Sequence, residues 1–97
     1  MSERINLTYT SGLILQTIAQ GLSYGFHIID HTGLPSGTVY PALRRLESVG
    51  LIESIWDHEG AEKSGGPARK NYRLTREGRS HLKVLRDRFP LLEKMGK

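Results

Sequence analysis

The sequence predicts a mainly α-helical fold with a small β-sheet, and three observations support this. Apolar residues recur at helical spacing in four segments of the chain. Two segments rich in β-branched and aromatic residues stand between the third and the fourth of these, as expected for strands. Glycine or proline lies near most of the boundaries. A chain of 97 residues has room for one small domain with a modest core.

The first two predicted helices form a helical hairpin. Thr10 or Ser11 can cap the first helix, and Gly21 is expected to end it. The second helix runs from about residue 24 or 25 to Thr32, and Gly33 follows as a stop. The residues expected to face the core are Leu13, Ile14, Leu15, Ile18, Phe26, Ile28 and Ile29.

The third predicted helix has an apolar stripe and a polar outward face. The stripe, at steps of four, three and three, consists of Val39, Leu43, Leu46 and Val49. Proline is tolerated in the first turn of a helix, so Pro41 predicts a start between Ser36 and Thr38, one of which is the expected cap. Gly50 stands where a left-handed residue is expected to end the helix.

Two β-strands are predicted after the third helix. They cover residues 51–56 and 69–75, and a polar segment with three glycines and Pro67 joins them. Alternation puts Tyr72 and Leu74 on one face of the second strand and three polar residues on the other, Arg69, Asn71 and Arg73. A helix-turn-helix followed by two antiparallel strands is the pattern of a winged helix.

The last predicted helix begins after Thr75, which can cap it, and Pro90 is expected to kink or break it. An apolar seam at steps of three, four and three consists of Leu82, Leu85, Phe89 and Leu92. We expect part of this seam to pack against a second copy of the chain, although it could instead fold back onto the first helix of its own chain. Residues 1–75 would then form the winged helix-turn-helix, and residues 76–97 would form a dimerisation helix in the same compact unit.

The charge balance favours an anionic partner. Fourteen basic and ten acidic residues give a net charge of +4, so nucleic acid is the first candidate. A recognition helix usually enters the major groove with its N-terminal end, and basic residues of a wing can contact phosphates. The residues expected to contact double-stranded DNA are Ser36, Thr38, Tyr40, Arg44 and Arg45 in the third helix and Lys63, Arg69 and Lys70 in the wing.

Three alternatives remain open at this point. Tyr40 could pack sideways on the second helix instead of facing a groove. The basic face could dock an acidic protein partner, which would make the domain a protein–protein interaction module. His27 and His31 have a spacing that can hold a metal ion and would suit a metal-responsive sensor, but neither Asp30 nor His58 is convincingly placed as a third ligand, so no metal site is expected.

Several classes of chemistry have no support in the sequence. The chain has no cysteine, which excludes disulfides, thiolate zinc sites and a cysteine nucleophile. No serine and histidine are arranged as a nucleophile with its base, and no glycine-rich loop can cradle a nucleotide, so neither an enzyme nor a cofactor is expected. No apolar run could span a bilayer and no signal-peptide core is present, so we expect no membrane contact and a cytoplasmic protein.

Five motifs follow one another in order from about residue 13 to residue 85. They are Tyr-Gly-Phe-His-Ile at 24–28, Gly-Thr-Val-Tyr-Pro-Ala-Leu-Arg-Arg-Leu-Glu at 37–47, Gly-Leu-Ile at 50–52, Gly-Pro-Ala-Arg-Lys-Asn-Tyr-Arg-Leu-Thr at 66–75, and Gly78. In these motifs the chain resembles the PadR-type transcriptional regulators, and its short C-terminal part resembles their short subfamily.

The resemblance implies a homodimeric winged-helix repressor bound to a palindromic operator. In such a protein the third helix enters the major groove, the wing touches the flanking backbone and the C-terminal helix forms much of the dimer contact. A small-molecule effector could relieve repression, and the resemblance does not identify it.

Overall fold

The computed structural model describes residues 9–57 and 69–94, which form a mainly helical domain with one two-stranded sheet. The elements in chain order are α1 (Tyr9–Ala19), α2 (Gly25–Thr32), α3 (Ser36–Ser48), β1 (Ile52–Asp57), β2 (Arg69–Leu74), α4 (Arg76–Arg88) and a 3₁₀ helix (Pro90–Lys94). The predicted fold class is confirmed, although β1 is shifted by one residue at both ends and β2 ends one residue earlier than predicted. None of the helices described is long and apolar enough to cross a membrane.

The core forms around α1, which contacts α2, α3, β2, α4 and the 3₁₀ helix. Every residue from Gly12 to Ile18 is buried, including the four apolar residues that the sequence predicts. Thr17 is buried as well, and its hydroxyl donates to the carbonyl oxygen of Leu13 at 2.7 Å, so its polar group is paired inside the helix. A helix that is buried on most sides can hold the remaining elements in a fixed arrangement.

Glycines end the first three helices, as predicted. Among the residues that the structure describes, those with positive φ are Gly21, Gly33 and Gly50. After α3, the N–H of Gly50 donates to Glu47 O at 3.1 Å and the N–H of Leu51 donates to Leu46 O at 3.0 Å. These two bonds form a Schellman motif, which needs a left-handed residue at Gly50. The turn sends the chain from α3 directly into β1 and places Leu51 in the core.

The two strands pair antiparallel, with Ser54 opposite Tyr72 and Trp56 opposite Lys70. Tyr72 and Leu74 are buried and the charged residues on the opposite face of β2 are exposed, as predicted from the alternation. The link between α1 and α2 joins the edge of β2, because the N–H of Tyr72 donates to Ser23 O at 2.8 Å. The sheet is thereby anchored to the helix-turn-helix.

Thr75 caps α4, as predicted. Its hydroxyl oxygen accepts from the N–H of Gly78 at 3.0 Å and donates to Gly50 O at 2.6 Å. The N–H of Thr75 also donates to Leu51 O at 3.1 Å. These bonds join the start of α4 to the end of α3. At the other end, α4 stops at Arg88, and Pro90 begins the 3₁₀ helix.

The seam of the C-terminal segment faces its own chain. Leu82, Leu85 and Leu92 are at most 2% exposed, and a Cβ on Gly12 of α1 would lie 2.7 Å from Leu92 Cδ1. These three leucines therefore pack within their own chain, which is the alternative that the sequence left open, and they are not available for the expected contact with a second copy. Phe89 is half-buried, and its ring meets that of Tyr9 edge-on at 5.3 Å between centroids.

Candidate nucleic-acid interface

The outward face of α3 presents hydroxyl and guanidinium groups to solvent. Val39, Leu43 and Leu46 are at most 3% exposed, because their stripe packs towards α1, α2 and β1. The exposed residues of the helix are Ser36, Gly37, Thr38, Tyr40, Pro41, Arg44, Arg45 and Ser48. All five residues of this helix that the sequence predicts for DNA contact are therefore exposed.

The N-terminal end of α3 is open to solvent. Pro35 is the capping residue and makes no side-chain cap, so the predicted cap at Ser36 or Thr38 is wrong. The helix begins at Ser36 as predicted, but this puts Pro41 in the second turn, where it removes the bond that Gly37 O would accept from residue 41. The free N–H groups of a first turn carry positive partial charge and suit a phosphate oxygen.

Tyr40 leans against α2 and also remains 40% exposed. A Cβ on Gly25 would lie 2.5 Å from Tyr40 Cε1, so the missing side chain at residue 25 makes room for the ring. The sideways packing that the sequence left as an alternative is therefore present. It holds the ring in place while its outer edge faces solvent.

Basic residues of α3 and of the wing lie together. Arg44, Arg45 and Lys70 line one shallow groove with Ser48 and Glu47. Lys70 Nζ lies 3.9 Å from Glu47 Oε1, and this carboxylate also accepts the hydroxyl of Ser54 at 2.7 Å. Three cations and one carboxylate leave the groove with a formal charge of about +2. Lys63, the third wing residue predicted for DNA contact, lies outside the described residues.

Two aromatic residues beside the groove were not predicted. Phe26, which the sequence analysis turned inward, is 44% exposed, and Trp56 is 55% exposed. The guanidinium of Arg69 lies 5.1 Å from the Phe26 ring centroid, and Lys70 Nζ lies 5.6 Å from that of Trp56. The two predicted wing cations that the structure describes, Arg69 and Lys70, thus lie over aromatic faces, which favours these positions. The pairing of Trp56 with Lys70 follows from the strand register, which the sequence does not specify.

Two tyrosines on this side have a pKa above the usual value. Tyr24 donates its hydroxyl to the Asp57 carboxylate, and this hydrogen bond raises the pKa of Tyr24. Burial raises the pKa of Tyr72, and the nearby Glu47 carboxylate raises it further. Both hydroxyls therefore stay protonated at neutral pH, and the first of them ties the start of α2 to β1.

The outer side of the C-terminal segment carries exposed apolar residues. Val84 of α4 is 50% exposed and Leu91 of the 3₁₀ helix is 63% exposed. They differ from the seam residues of the sequence prediction, because the helix turns those inward.

His27 and His31, the pair with a spacing that can hold a metal ion, both lie on α2. Over residues 9–57 and 69–94, no group of three or more His, Cys, Asp or Glu residues could hold a metal ion. His58, the more distant candidate, lies outside the described residues. The ring of His27 instead packs against those of Tyr24 and Phe26.

Comparison with known proteins gives one consistent result. The model of the transcriptional regulator PadR-like family matches residues 14–84. A PadR family transcription regulator from hypervirulent Clostridium difficile is 33% identical with a TM-score of 0.74, and the match covers 90% of this chain and 93% of that one. A search of curated proteins gave no match.

Two further solved structures agree. A transcriptional regulator from Clostridium thermocellum is 29% identical with a TM-score of 0.71, over 89% of this chain and 84% of that one. A PadR-like transcriptional regulator from Bacillus cereus is 27% identical with a TM-score of 0.67, over 88% and 84%. With a family match over most of its length and a winged helix whose polar recognition face is exposed, this chain is a member of the PadR-like family of DNA-binding transcriptional regulators and is not an enzyme.

Proposed function

We propose that this regulator acts as a homodimeric repressor that binds a palindromic operator through α3 and the wing. The observation that carries the proposal is the exposed polar face of α3, with Arg44 and Arg45 beside Lys70 of the wing. An exposed helix face with cations on its flank has the shape and charge that a major groove and its phosphates require. Residues up to 75 form the DNA-binding part and residues from 76 onwards the dimerisation part, and the protein acts in the cytoplasm.

The residues of this interface divide into two roles. Ser36 and Thr38 lie at the open end of α3, and Arg44 is exposed about two turns further along the helix. These three residues are suited to base edges, whereas Arg45 lies on the flank and is suited to phosphate. The ring of Tyr40 packs against Gly25 of α2, and its exposed edge is available for contact with DNA. Arg69 and Lys70 extend the phosphate contact from the wing, where each cation lies over an aromatic ring. Lys63 is proposed for the same role from the sequence alone.

The dimer brings two copies of α3 to successive major grooves, about 34 Å apart. The exposed Val84 and Leu91 of the C-terminal segment support this self-association, since large apolar side chains that are exposed can form a contact surface. Phe89, which is half-buried, can add to the contact. A small-molecule effector relieves repression by favouring a dimer in which the two helices no longer match the operator.

A footprint on the DNA upstream of the protein's own gene tests the proposal. We expect protection of two half-sites related by twofold symmetry, with a loss of protection in Arg44→Ala and none in Lys83→Ala, an exposed cation on α4. Protection of a single half-site would contradict the dimer. Salt-sensitive binding to an acidic protein without any footprint would contradict DNA binding and favour the interaction module.

A further inference from the structure

A second basic site lies away from α3. A cleft of about 780 Å³ opens between the C-terminal end of α1, the sheet and α4, and four arginines line it, namely Arg73, Arg76, Arg79 and Arg86. Among the described lining residues the only carboxylate is that of Glu53. Four guanidinium groups and one carboxylate give the cleft a formal charge of 4 − 1 = +3. None of the residues proposed for DNA contact lines it.

The strand alternation puts two of the charged residues of this cleft on the face of the sheet that points away from α3. Ser54 points towards α3, where its hydroxyl donates to Glu47. Glu53 and Arg73 are the next residues along their strands and stand opposite each other in the register, so their side chains lie on the other face. An anion in this cleft therefore meets a set of cations that is separate from Arg44, Arg45 and Lys70.

Three of the four arginines are held by hydrogen bonds. Arg73 Nε donates to Glu53 Oε2 at 2.6 Å, and Arg79 donates to Leu74 O at 3.4 Å. Arg86 Nε donates to Oε1 of Gln16 at 2.9 Å, and Gln16 is itself only 5% exposed. A guanidinium has five N–H donors, and each of these bonds uses one of them. The bond orients the group, and its other donors remain available to an anion. Such orientation lowers the entropy cost of binding an anion.

We propose that this cleft binds an organic di- or triphosphate of nucleotide size. Guanidinium forks match phosphate oxygens in bidentate geometry, and a net charge of +3 balances the charge of such a phosphate chain. The volume lies within the range of small-molecule sites. Ile18, Leu74 and Leu82 form the floor of the cleft and are at most 8% exposed, so the arginines supply most of the contact with the ligand.

A ligand in this cleft would contact both the sheet of the wing and the C-terminal helix α4. Arg73 belongs to the sheet, whereas Arg76, Arg79 and Arg86 belong to α4. A phosphate chain that bridges them reduces their mutual repulsion and fixes the wing relative to the C-terminal helix. The use of this site as an effector site rests on the proposed function, whereas ligand binding itself does not.

Isothermal titration calorimetry of the full chain with ADP, without magnesium or DNA and at constant ionic strength, tests the site. We expect saturable binding of one ADP per chain and no binding of adenosine. The double variant Arg76→Gln, Arg79→Gln should raise the Kd at least about tenfold, since each arginine contributes charged hydrogen bonds. The matched variant Arg44→Gln, Arg45→Gln removes the same charge from α3 and should change the Kd less than about twofold.

Three results would overturn the site: an absence of saturable binding, adenosine binding as tight as ADP, or an equal loss of affinity in both double variants. If loss of the Arg79 bond to Leu74 O loosens the fold, the single variant Arg76→Gln decides, because Arg76 is exposed in the first turn of α4. Pyrophosphate that binds as tightly as ADP supports the site and assigns recognition to the phosphates. The titration contains no DNA, so its result and the footprint are independent. A negative titration would not contradict operator binding, and a negative footprint would not contradict binding of ADP.

Discussion

At Gly78 the start of α4 runs directly over the backbone of Leu51. A Cβ on residue 78 would lie 1.9 Å from Leu51 O and 2.9 Å from its carbonyl carbon, so glycine is required here by close approach. The same oxygen accepts the N–H of Thr75, so it cannot move away without breaking that bond. Gly37, by contrast, has open space around it at the exposed start of α3.

Gly78→Ala and Gly37→Ala should therefore differ in stability. We expect the first change to lower the free energy of unfolding by about 3 kcal/mol, because two backbones must separate. The second should raise it by up to about 1 kcal/mol, since alanine is the better helix former. Urea unfolding followed by far-UV circular dichroism measures both. Equal midpoints for the two variants would refute the close approach.

The two perturbed tyrosines predict a loss of stability in alkali. The pKa of Tyr24 and that of Tyr72 are raised in the folded state above the unfolded value of about 10. Their contribution is fully present below pH 10 and is lost as the pH rises through the folded-state pKa. We expect the free energy of unfolding to fall above about pH 10 and to fall less in Tyr24→Phe. An unchanged decline in that variant would show that the bond to Asp57 does not matter.

Among the elements, α4 depends on its cap. Thr75→Ala removes the acceptor for the Gly78 N–H and the donor to Gly50 O. We expect a loss of about 1–2 kcal/mol in the free energy of unfolding, at the upper end of the usual cost of a lost cap. Thr75→Ser keeps the hydroxyl and should stay within about 0.5 kcal/mol of the parent. Chemical denaturation of the three proteins side by side gives the comparison.

The proposed roles of α3 and the wing predict different defects. Arg44→Ala should weaken binding to the operator by about 1–3 kcal/mol more than binding to random duplex, because a base contact is lost. Lys70→Gln should weaken both alike and reduce the salt slope by about one unit, because a phosphate contact is lost. Fluorescence anisotropy at several salt concentrations separates the two. The same pattern from both variants would contradict the division.

The elements themselves were largely predictable, because periodicity and end signals agree with each other. The stripe of α3, the stop at Gly50 and the cap at Thr75 are local features and were predicted correctly. Phe26 was placed wrongly, because a short helix with apolar residues on several sides does not reveal which side meets the core. The position of Tyr40 depends on the missing side chain of Gly25 in another helix, and only the fold brings the two together.

For the whole molecule, we expect Leu91→Lys to dissociate the proposed dimer without unfolding the chain. Leu91 is exposed, so a charge there costs nothing within the monomer but opposes burial between two copies. Leu85→Ala should instead lower the free energy of unfolding by about 2–5 kcal/mol, because Leu85 is buried in the core. Analytical ultracentrifugation and urea unfolding distinguish these outcomes. A parent protein that is monomeric at all concentrations would refute the dimer.

The long-range arrangement was the part that the sequence could not supply. A heptad-like seam on α4 suits a second copy and α1 equally well, and only the burial of Leu85 and Leu92 against α1 decides between them. The four arginines of the cleft are spread over two elements and over charge-rich stretches. Their proximity follows from how the sheet meets α4, which no local pattern records.

The bonds from Thr75 to Gly50 and Leu51 have a mechanical consequence. They connect the C-terminal end of α3 to the N-terminal end of α4, so we expect these two helices to move together. In the proposed dimer, a small rotation where the two copies meet would swing the tips of both α3 helices by a larger distance. The contact between the two subunits, which lies far from the base pairs, would then determine which half-site separations the protein can bind.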